Sequence, residues 1–236
     1  MRALLLVPAL AGSLPVFVLP TPRFNAPAHV PAAASFEFKV LSSKYVGVSN
    51  PGGGGLEFGY LNGRRLSHRR AENTTLWGAD GASYRYVLWG QTVYDFGKYT
   101  RPPRIKPGDA EFVYEEVVWA RETGGVLYVE TAHSTYASSS YGLNAYLNAV
   151  DVETHRLLWR SPALVANAQT FVLLNDVAVT GYGFTQEPDY LYAISRENGH
   201  VVGRLALPNA PERIIRRGET LFVRTYDHAL TVKLAA

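Results

Sequence analysis

The fold is decided by residues 190–204, YLYAISRENGHVVGR, because residues 146–160, YLNAVDVETHRLLWR, repeat their pattern 44 positions earlier without a gap. Each stretch begins with an alternating apolar segment, passes through a turn of the Asn-Gly or Thr-His type, and continues into a second strand that ends at an arginine. Period-two alternation bounded by turn residues predicts half-buried antiparallel strands. Strands repeated every 40 to 50 residues or so are typical of propeller blades and similar β arrays.

Further strands obey the same repeat. Residues 176–180 match residues 220–224, again 44 positions apart, and residues 126–130 match residues 176–180 at a separation of 50. The six additional residues fit in the polar stretch Ser134–Tyr141. Each unit is therefore predicted to contain an apolar strand, a loop, an alternating strand, a tight turn and a third strand.

An earlier copy of the unit is weaker. We expect it to contain a strand at 45–49, a second at 56–60 and a turn at Asn62-Gly63. A unit between this copy and the clear repeats, at about 84–118, contains the strand-like segment Tyr84–Trp89 but lacks the turn signature. Helical periodicity is not sustained anywhere after residue 35, so helices are not predicted there.

The two ends of the repeat region can complete one another. Residues 230–234 begin a further unit that is cut short, and residues 36–41 form an alternating apolar segment at the other end. An open β array leaves an unpaired edge that invites aggregation, and propellers protect such edges. We therefore predict an all-β fold, a β-propeller of about four to five blades over residues 35–236, closed by strands from both ends.

Residues 1–34 differ from the rest of the chain. A basic start at Arg2 is followed by an apolar run with no charge before Arg23, and then by small residues at 32–34. This pattern predicts a signal peptide, cleaved between about Asn25 and Phe36, and a secreted or periplasmic protein. The alternative is a disordered or surface-packed leader, because prolines interrupt the apolar run. They also argue against a stable membrane span.

Charge and cysteine content exclude several classes. The net charge of +3 and pI near 9.0 fall short of the dense basic stripe of a dedicated nucleic-acid binder, so no nucleic-acid partner is expected. The chain has no cysteine, which excludes disulfides, thiolate catalysis, zinc ribbons and iron–sulfur clusters. Hydrophobic residues make up 47% of the chain and predict a folded body with a sizeable core.

The repeat resembles that of the pyrroloquinoline-quinone-type (quinoprotein-like) β-propellers. The resemblance lies in residues 176–204 and 147–160, where a strand leads into a turn and then into a strand ending in Trp-Arg or Gly-Arg. Family propellers have seven or eight blades, whereas this chain has room for four or five. The ring is therefore expected to be small, or incomplete and finished by another chain as a homo-oligomer. The family's dehydrogenases use adjacent cysteines and a calcium site, and without such residues we expect no cofactor and no metal.

No catalytic motif is present, and no catalytic residue is predicted. Glu115 and Glu116 could act as acid and base only if both faced one cavity, and neighbours on a strand face opposite sides. Polar loops on rigid scaffolds often carry binding, and Arg recognises carboxylates or phosphates in two-pronged fashion. The candidate contacts are Tyr136, Ser138, Ser139, Ser140, Tyr141, Arg64 and Arg65.

The function expected from these observations is that of a non-catalytic, secreted or periplasmic binding module for a protein partner or an envelope polymer such as a polysaccharide. The alternative is an enzyme, a sugar-directed hydrolase or lyase, with its site in the propeller channel.

Overall fold

A computed structural model describes residues 13–27, 36–48, 56–79, 83–113 and 115–235. These residues form strands, turns and one 3₁₀ turn at Ala137–Ser140. Among them, no helix has the length and hydropathy to cross a bilayer. The strands are β1 (Val16–Val18), β2 (Glu37–Tyr45), β3 (Glu57–Leu61), β4 (Arg64–Ala71), β5 (Thr74–Gly78), β6 (Tyr84–Trp89), β7 (Thr92–Asp95), β8 (Glu115–Thr123), β9 (Val126–His133), β10 (Tyr146–Asp151), β11 (Leu157–Arg160), β12 (Val172–Leu173), β13 (Val177–Tyr182), β14 (Tyr190–Ser195), β15 (Val201–Ala206), β16 (Pro211–Arg217), β17 (Thr220–Thr225) and β18 (His228–Ala235).

The described strands form four sheets, which are the blades of an all-β propeller, as predicted. The first blade has six strands in the order β1-β7-β6-β5-β4-β3. The second, third and fourth blades have four strands each, in the orders β11-β10-β9-β8, β12-β13-β14-β15 and β16-β17-β18-β2. All pairings are antiparallel except that of β1 with β7, which is parallel.

The repeat prediction holds for the second and third blades down to single residues. The strand at 146–151 pairs with 157–160, and the strand at 190–195 pairs with 201–206, as expected from the 44-residue repeat. Both pairings carry a register shift at the same place in the unit, at Ala149/Val150 and at Ala193/Ile194. The turn residues His155 (φ 58°) and Gly199 (φ 77°) occupy the left-handed region that such tight turns require.

The prediction for the first blade was partly wrong. The segment at 45–49 was expected to be a strand, but β2 ends at Tyr45, and residues 49 and 50 lie outside the described residues. The units expected at 45–66 and 84–118 are not two blades, because β3–β7 join one sheet in which β5 pairs with β6. The turn at Asn62 and Gly63 does form, and it links β3 to β4 directly.

The fourth blade is completed by both ends of the repeat region. Strand β18 pairs with β2 in antiparallel register, with Leu230 opposite Ser43 and Val232 opposite Val40. This is the closure that residues 36–41 and 230–234 predicted. It places a strand from early in the chain at the outer edge of the last blade.

Three apolar clusters hold neighbouring blades together. One joins the first blade to the second, one joins the second to the third, and one joins the third to the fourth. A fourth cluster lies on the first blade, around Leu66, Trp77 and Val93. Among the described residues, none of these clusters combines the fourth blade with the first. The four blades therefore form a ring that is open between the last blade and the first.

Part of the predicted leader packs against the blades. Phe17, in β1, stacks on His155 with ring centroids 3.5 Å apart, and Leu19 is buried. The Asn25 amide donates hydrogen bonds to the carbonyls of Arg160 and Ser161. Residues 13–27 therefore contribute to the first and second blades, and cleavage of the leader within the chain stays a prediction.

Candidate functional site

Two cavities lie where the inner strands of the four blades meet. The first has a volume of about 460 Å³ and the second about 570 Å³. The first is lined by Arg69, Glu116, Val118, Ala132, His133, Ser134, Asn167, Gln169, Gly183, Phe184 and Pro211. The second is lined by Arg70, Glu72, Trp119, Arg121, Thr170, Val172, Leu173, Arg213, Ile214, Ile215 and Arg216.

The two cavities are successive parts of one central channel. In the second blade, Glu116 of strand β8 lines the first cavity and Arg121, further along the strand, lines the second. The same order holds in strand β4, where Arg69 precedes Arg70, and in strand β16, where Pro211 precedes Arg213. In the third blade, Gln169 lines the first cavity and Thr170 the second. Four segments that run in the same direction around common space are the walls of a propeller channel.

The second cavity is strongly cationic. Four of its lining residues are arginines, Arg70, Arg121, Arg213 and Arg216, and its only acidic lining residue is Glu72. Field lines focus in a cleft lined by one sign of charge, which raises the local concentration of counter-ions. We call this cavity the arginine mouth. Nothing in the sequence indicated that the fold brings these four arginines together.

Backbone carbonyls orient the arginines of the mouth. Among the ion pairs found between described residues, the one with an arginine joins Arg85 to Asp95, in the first blade. Arg216 is oriented by hydrogen bonds to the carbonyls of Gly218 and Leu173. Arg70 donates to the carbonyl of Glu72. These backbone contacts position the guanidinium groups but leave their charge available to an anion.

Trp119 provides an aromatic wall in the arginine mouth. Its indole nitrogen is buried and has no hydrogen-bond partner within the described structure. A buried indole N–H usually has a partner, and this one lies inside the wall, out of reach of the cavity. Trp119 packs against the apolar clusters on both sides, and other parts of the residue line the cavity.

The first cavity carries a carboxylate and an imidazole, Glu116 and His133. Burial lowers the pKa of His133 to about 4, so the ring is neutral at physiological pH. Its Nε2 lies 2.9 Å from Ser140 Oγ, and its Nδ1 accepts a hydrogen bond from the Thr135 N–H. Both ring nitrogens are therefore already engaged, which suits a structural role better than proton transfer.

Glu115 and Glu116 face different environments, as strand alternation predicted. Glu116 lines the channel, whereas Glu115 interacts electrostatically with Arg160 in the interior of the second blade. Burial raises the pKa of Glu115 to about 8. The Arg160 guanidinium lies 3.7 Å from the Tyr146 ring centroid and 5.2 Å from that of Tyr99. This cluster lines neither channel cavity, so the two carboxylates do not form an acid–base pair in one site.

Glu130 is fully buried beside the channel wall. Neither carboxylate oxygen has a hydrogen-bond partner in the described structure, and burial raises its pKa well above the usual value. The nearby charge of Arg69, a lining residue of the first cavity, opposes that increase. Burial therefore favours the uncharged form of the Glu130 carboxyl.

The predicted polar loop lies at the rim of the first cavity. Its residues 137–140 form the 3₁₀ turn, in which Ser139 and Ser140 are buried. The Ser140 hydroxyl contacts His133 and accepts a hydrogen bond from Asn144. Tyr136 packs edge-on against Phe184, which lines the cavity.

Two loop side chains, Tyr136 and Tyr141, expose more than a third of their surface. Ser138, between them, is exposed as well. A contact role for this loop stays a prediction.

Arg64 and Arg65 lie on β4, away from the residues that line either cavity. The Arg65 guanidinium lies 4.4 Å from the Phe58 ring centroid, and Arg64 contacts the Tyr86 hydroxyl at 3.5 Å. Both side chains are exposed. The structure does not bring them together with the polar loop, and their role in binding stays a prediction.

No protein-family model matches the chain, and no curated protein matches it. Among solved structures, the computationally designed Ika4 protein is similar, with 10% identity and a TM-score of 0.41 over 72% of this chain and 89% of that one. BamB from Moraxella catarrhalis is 10% identical, with a TM-score of 0.38 over 70% of this chain and 59% of that one. GH43B of the xyloglucan PUL of Bacteroides ovatus is 9% identical, with a TM-score of 0.34 over 82% of this chain and 41% of that one. Nothing about ligand or activity follows from likenesses this weak.

The residues present do not fit the cofactor site that the quinoprotein resemblance implies. The chain has no cysteine to supply the adjacent pair. Within the described ranges, no three His, Asp or Glu side chains converge as metal ligands would. The chemistry available in the channel is that of guanidinium groups, an indole and one carboxylate at each end.

Proposed function

We propose that this protein is a non-catalytic binding module that captures an acidic oligosaccharide at the arginine mouth of its channel. The proposal is carried by one observation, the four arginines with a single carboxylate around a cavity of about 570 Å³. A cavity of this size is in the range that holds small ligands. Guanidinium groups bind carboxylates bidentately, and Trp119 in the lining offers a sugar ring an aromatic surface.

The test is titration of a trigalacturonate into the full chain by calorimetry, with Trp fluorescence as a second signal. The double variant R70Q/R121Q removes two guanidinium groups from the mouth. Its affinity is expected to fall at least about tenfold, since each charged hydrogen bond that is lost costs about 1 kcal/mol or more. R104Q/R156Q is the matched control, because both arginines are exposed and neither lines a channel cavity.

Two results would contradict the proposal. One is equal affinity in R70Q/R121Q and in the control variant. The other is equal affinity of the wild-type protein for trigalacturonate and for a neutral trisaccharide of the same length, since the arginines would then contribute nothing.

Export from the cytoplasm is part of the proposal, because the basic start and apolar run of residues 1–34 support a signal peptide. A bacterial host should yield periplasmic or secreted protein whose first residue lies between about Asn25 and Phe36. Cleavage there would remove β1 and Leu19 from the first blade, so the cleaved form should melt at a lower temperature than the full chain. N-terminal sequencing of the exported fraction decides the matter, and an intact Met1 would contradict cleavage.

The second candidate is a sugar-directed hydrolase or lyase. Glu116 at the opposite end of the channel favours it, because a carboxylate in a cavity can act as a general acid or base. An assay for new reducing ends and unsaturated products, run on a panel of acidic and neutral polysaccharides, separates the two candidates. Activity that is lost in E116Q would replace the binding proposal with the enzymatic one.

A further inference from the structure

The fourth blade has one face that is packed and one that is open. Val223 and Leu230 pack toward the third blade, while Ile215 and Phe222 are each 40% exposed on the other side. Directly paired residues project from the same face of a sheet, as do residues two apart on one strand. The open face consists of three rows of side chains, and each row crosses β16, β17, β18 and β2 in that order. The first row is Arg213, Arg224, Ala229 and Lys44. The middle row is Ile215, Phe222, Thr231 and Ser42, and the last is Arg217, Thr220, Lys233 and Lys39.

These three rows contain six cations and no carboxylate. Acidic groups lie at one end of the face. The carboxylate of Glu219, in the turn before β17, lies 4.0 Å from Lys233 Nζ, and Asp176 of the third blade lines a cavity together with Lys39 and Lys233. Arg213 is directly opposite Arg224, and Lys233 is directly opposite Lys39. Like charges in directly opposed positions destabilise a sheet. A bound polyanion would remove this repulsion.

The chain itself has little to neutralise this face. Residues 1–12, 28–35 and 49–55 lie outside the described residues and contain no Asp or Glu, and residues 80–82 contain only Asp80. A second copy of the chain docked face to face would place six cations against six. Charge therefore argues against both this chain and its symmetric copy as the occupant, and it argues for an anionic partner.

The middle row suits a sugar chain. Phe222 and Ile215 offer apolar surface, Thr231 and Ser42 offer hydroxyls, and the cationic rows lie on both sides. The outer rows are four residues apart along β16, β17 and β18, which is about 13 Å, and five apart along β2, where the register shifts. A polymer that lies along the middle row can therefore direct carboxylates to cations on either side. Nucleic acid needs several stacking platforms, whereas this face has one aromatic ring, Phe222, partly covered by Arg217 at 5.6 Å.

We infer that the open face of the fourth blade binds a linear polysaccharide that carries carboxylates. This inference shares the class of ligand with the proposed function. The two surfaces adjoin, because Arg213 and Ile215 belong to both, but Lys39, Lys44 and Arg217 do not line the arginine mouth. Loss of binding at one surface therefore leaves the other measurable.

The experiment measures binding of the full chain to immobilised polygalacturonate, with dextran and single-stranded DNA of matched charge as comparison polymers. The variant K39Q/K44Q/R217Q should weaken polygalacturonate binding about tenfold, and added salt should weaken the wild-type binding. R101Q/R104Q/R156Q is the matched control, because it removes the same charge from exposed positions elsewhere and should bind like wild type. R70Q/R121Q should also keep its affinity for the polymer.

Three outcomes would overturn the inference. Equal losses in the face variant and its charge-matched control would mean that only net charge matters. Tighter binding of single-stranded DNA would make nucleic acid the partner. Polymer binding that is lost in R70Q/R121Q but kept in K39Q/K44Q/R217Q would assign the polymer to the arginine mouth alone. A different result, wild-type protein that binds the polymer but does not bind trigalacturonate, would overturn only the proposed function.

Discussion

The arginines that end the repeated strands have a structural role at the level of single residues. Arg160 lies over the ring of Tyr146, and Arg204 lies over the ring of Tyr190. These pairs occupy the same positions in the second and third blades, 44 residues apart. The repeat therefore conserves a cation–π contact within the blade. Of the arginines that line the channel, Arg69 makes such a contact, with Tyr84 at 4.8 Å.

The turn residue of one blade also contacts the blade before it. A β-carbon added to Gly199 would lie 2.6 Å from Cε3 of Trp159, and Gly199 has a φ of 77°. Gly218 has a φ of 60° but no neighbouring atom within 4 Å, so it serves as a matched control for backbone strain. G199A should lower the free energy of unfolding by about 1 to 3 kcal/mol more than G218A, because only G199A is overpacked against Trp159. Urea unfolding of the two variants measures the difference, and equal losses would contradict the contact.

The buried carboxyl of Glu115 should make stability depend on pH. Its pKa is about 8 in the folded protein, against about 4.3 in an unfolded chain. Between about pH 5 and 8 the folded state therefore holds a proton that the unfolded state has released, and stability falls as pH rises. Glu130 and Asp189, whose pKa values burial also raises, contribute with the same sign.

The variant E115Q isolates the contribution of this residue. Urea unfolding at several pH values from 5.5 to 8.5 or so should give a shallower decline for E115Q than for wild type, since the amide does not titrate. A decline of unchanged slope would mean that Glu115 titrates normally in the folded protein.

At the scale of elements, the sequence predicted strands well wherever alternation and a turn occur together. The segment at 84–89 was predicted with the bounds that the structure has, and the repeated stretches 146–160 and 190–204 each contain the two strands that their pattern predicted, the last of which continues to Ala206. The first blade was harder, because its hairpins lack the repeated turn and their division into sheets depends on long-range pairing. Periodicity reports which face of a strand is buried, and it does not report which strand lies beside it.

The channel site could not be predicted from the sequence for the same reason. Arg70, Arg121, Arg213 and Arg216 come from three different blades, and no local pattern connects them. The predicted loop was recognisable because its polar residues interrupt a repeat, but the hydrogen bonds of Ser140 depend on Asn144 and His133 from outside the 3₁₀ turn.

The pairing of β2 with β18 can be tested by a cross-link, since the chain has no cysteine of its own. Ser42 lies directly opposite Thr231 across this pair. Because paired residues in an antiparallel sheet are within disulfide range, S42C/T231C should oxidise to an intramolecular disulfide. Mobility on a non-reducing gel and thiol titration measure it. The pair S42C/A229C is out of register and should oxidise much less, and equal oxidation of the two would contradict the register.

At the scale of the whole molecule, the four blades form three apolar interfaces. A fourth interface would close the ring, but the face of the fourth blade that would form it is cationic. A closed ring would bury Ile215 and Phe222, which are exposed here. The cost of leaving two apolar side chains in water is small compared with that of burying six unpaired cations. The opening between the fourth blade and the first, together with the arginine mouth, leaves the inner strand of the fourth blade accessible to a ligand.

The open ring with its free cationic surfaces is tested most directly by the solution mass of the full chain, measured by light scattering on a sizing column at physiological salt. Like charge on the open face predicts a monomer of 26.0 kDa whose mass does not change with protein concentration. A discrete dimer would contradict this, because a second copy would then complete the ring and cover the surfaces proposed to bind acidic sugars.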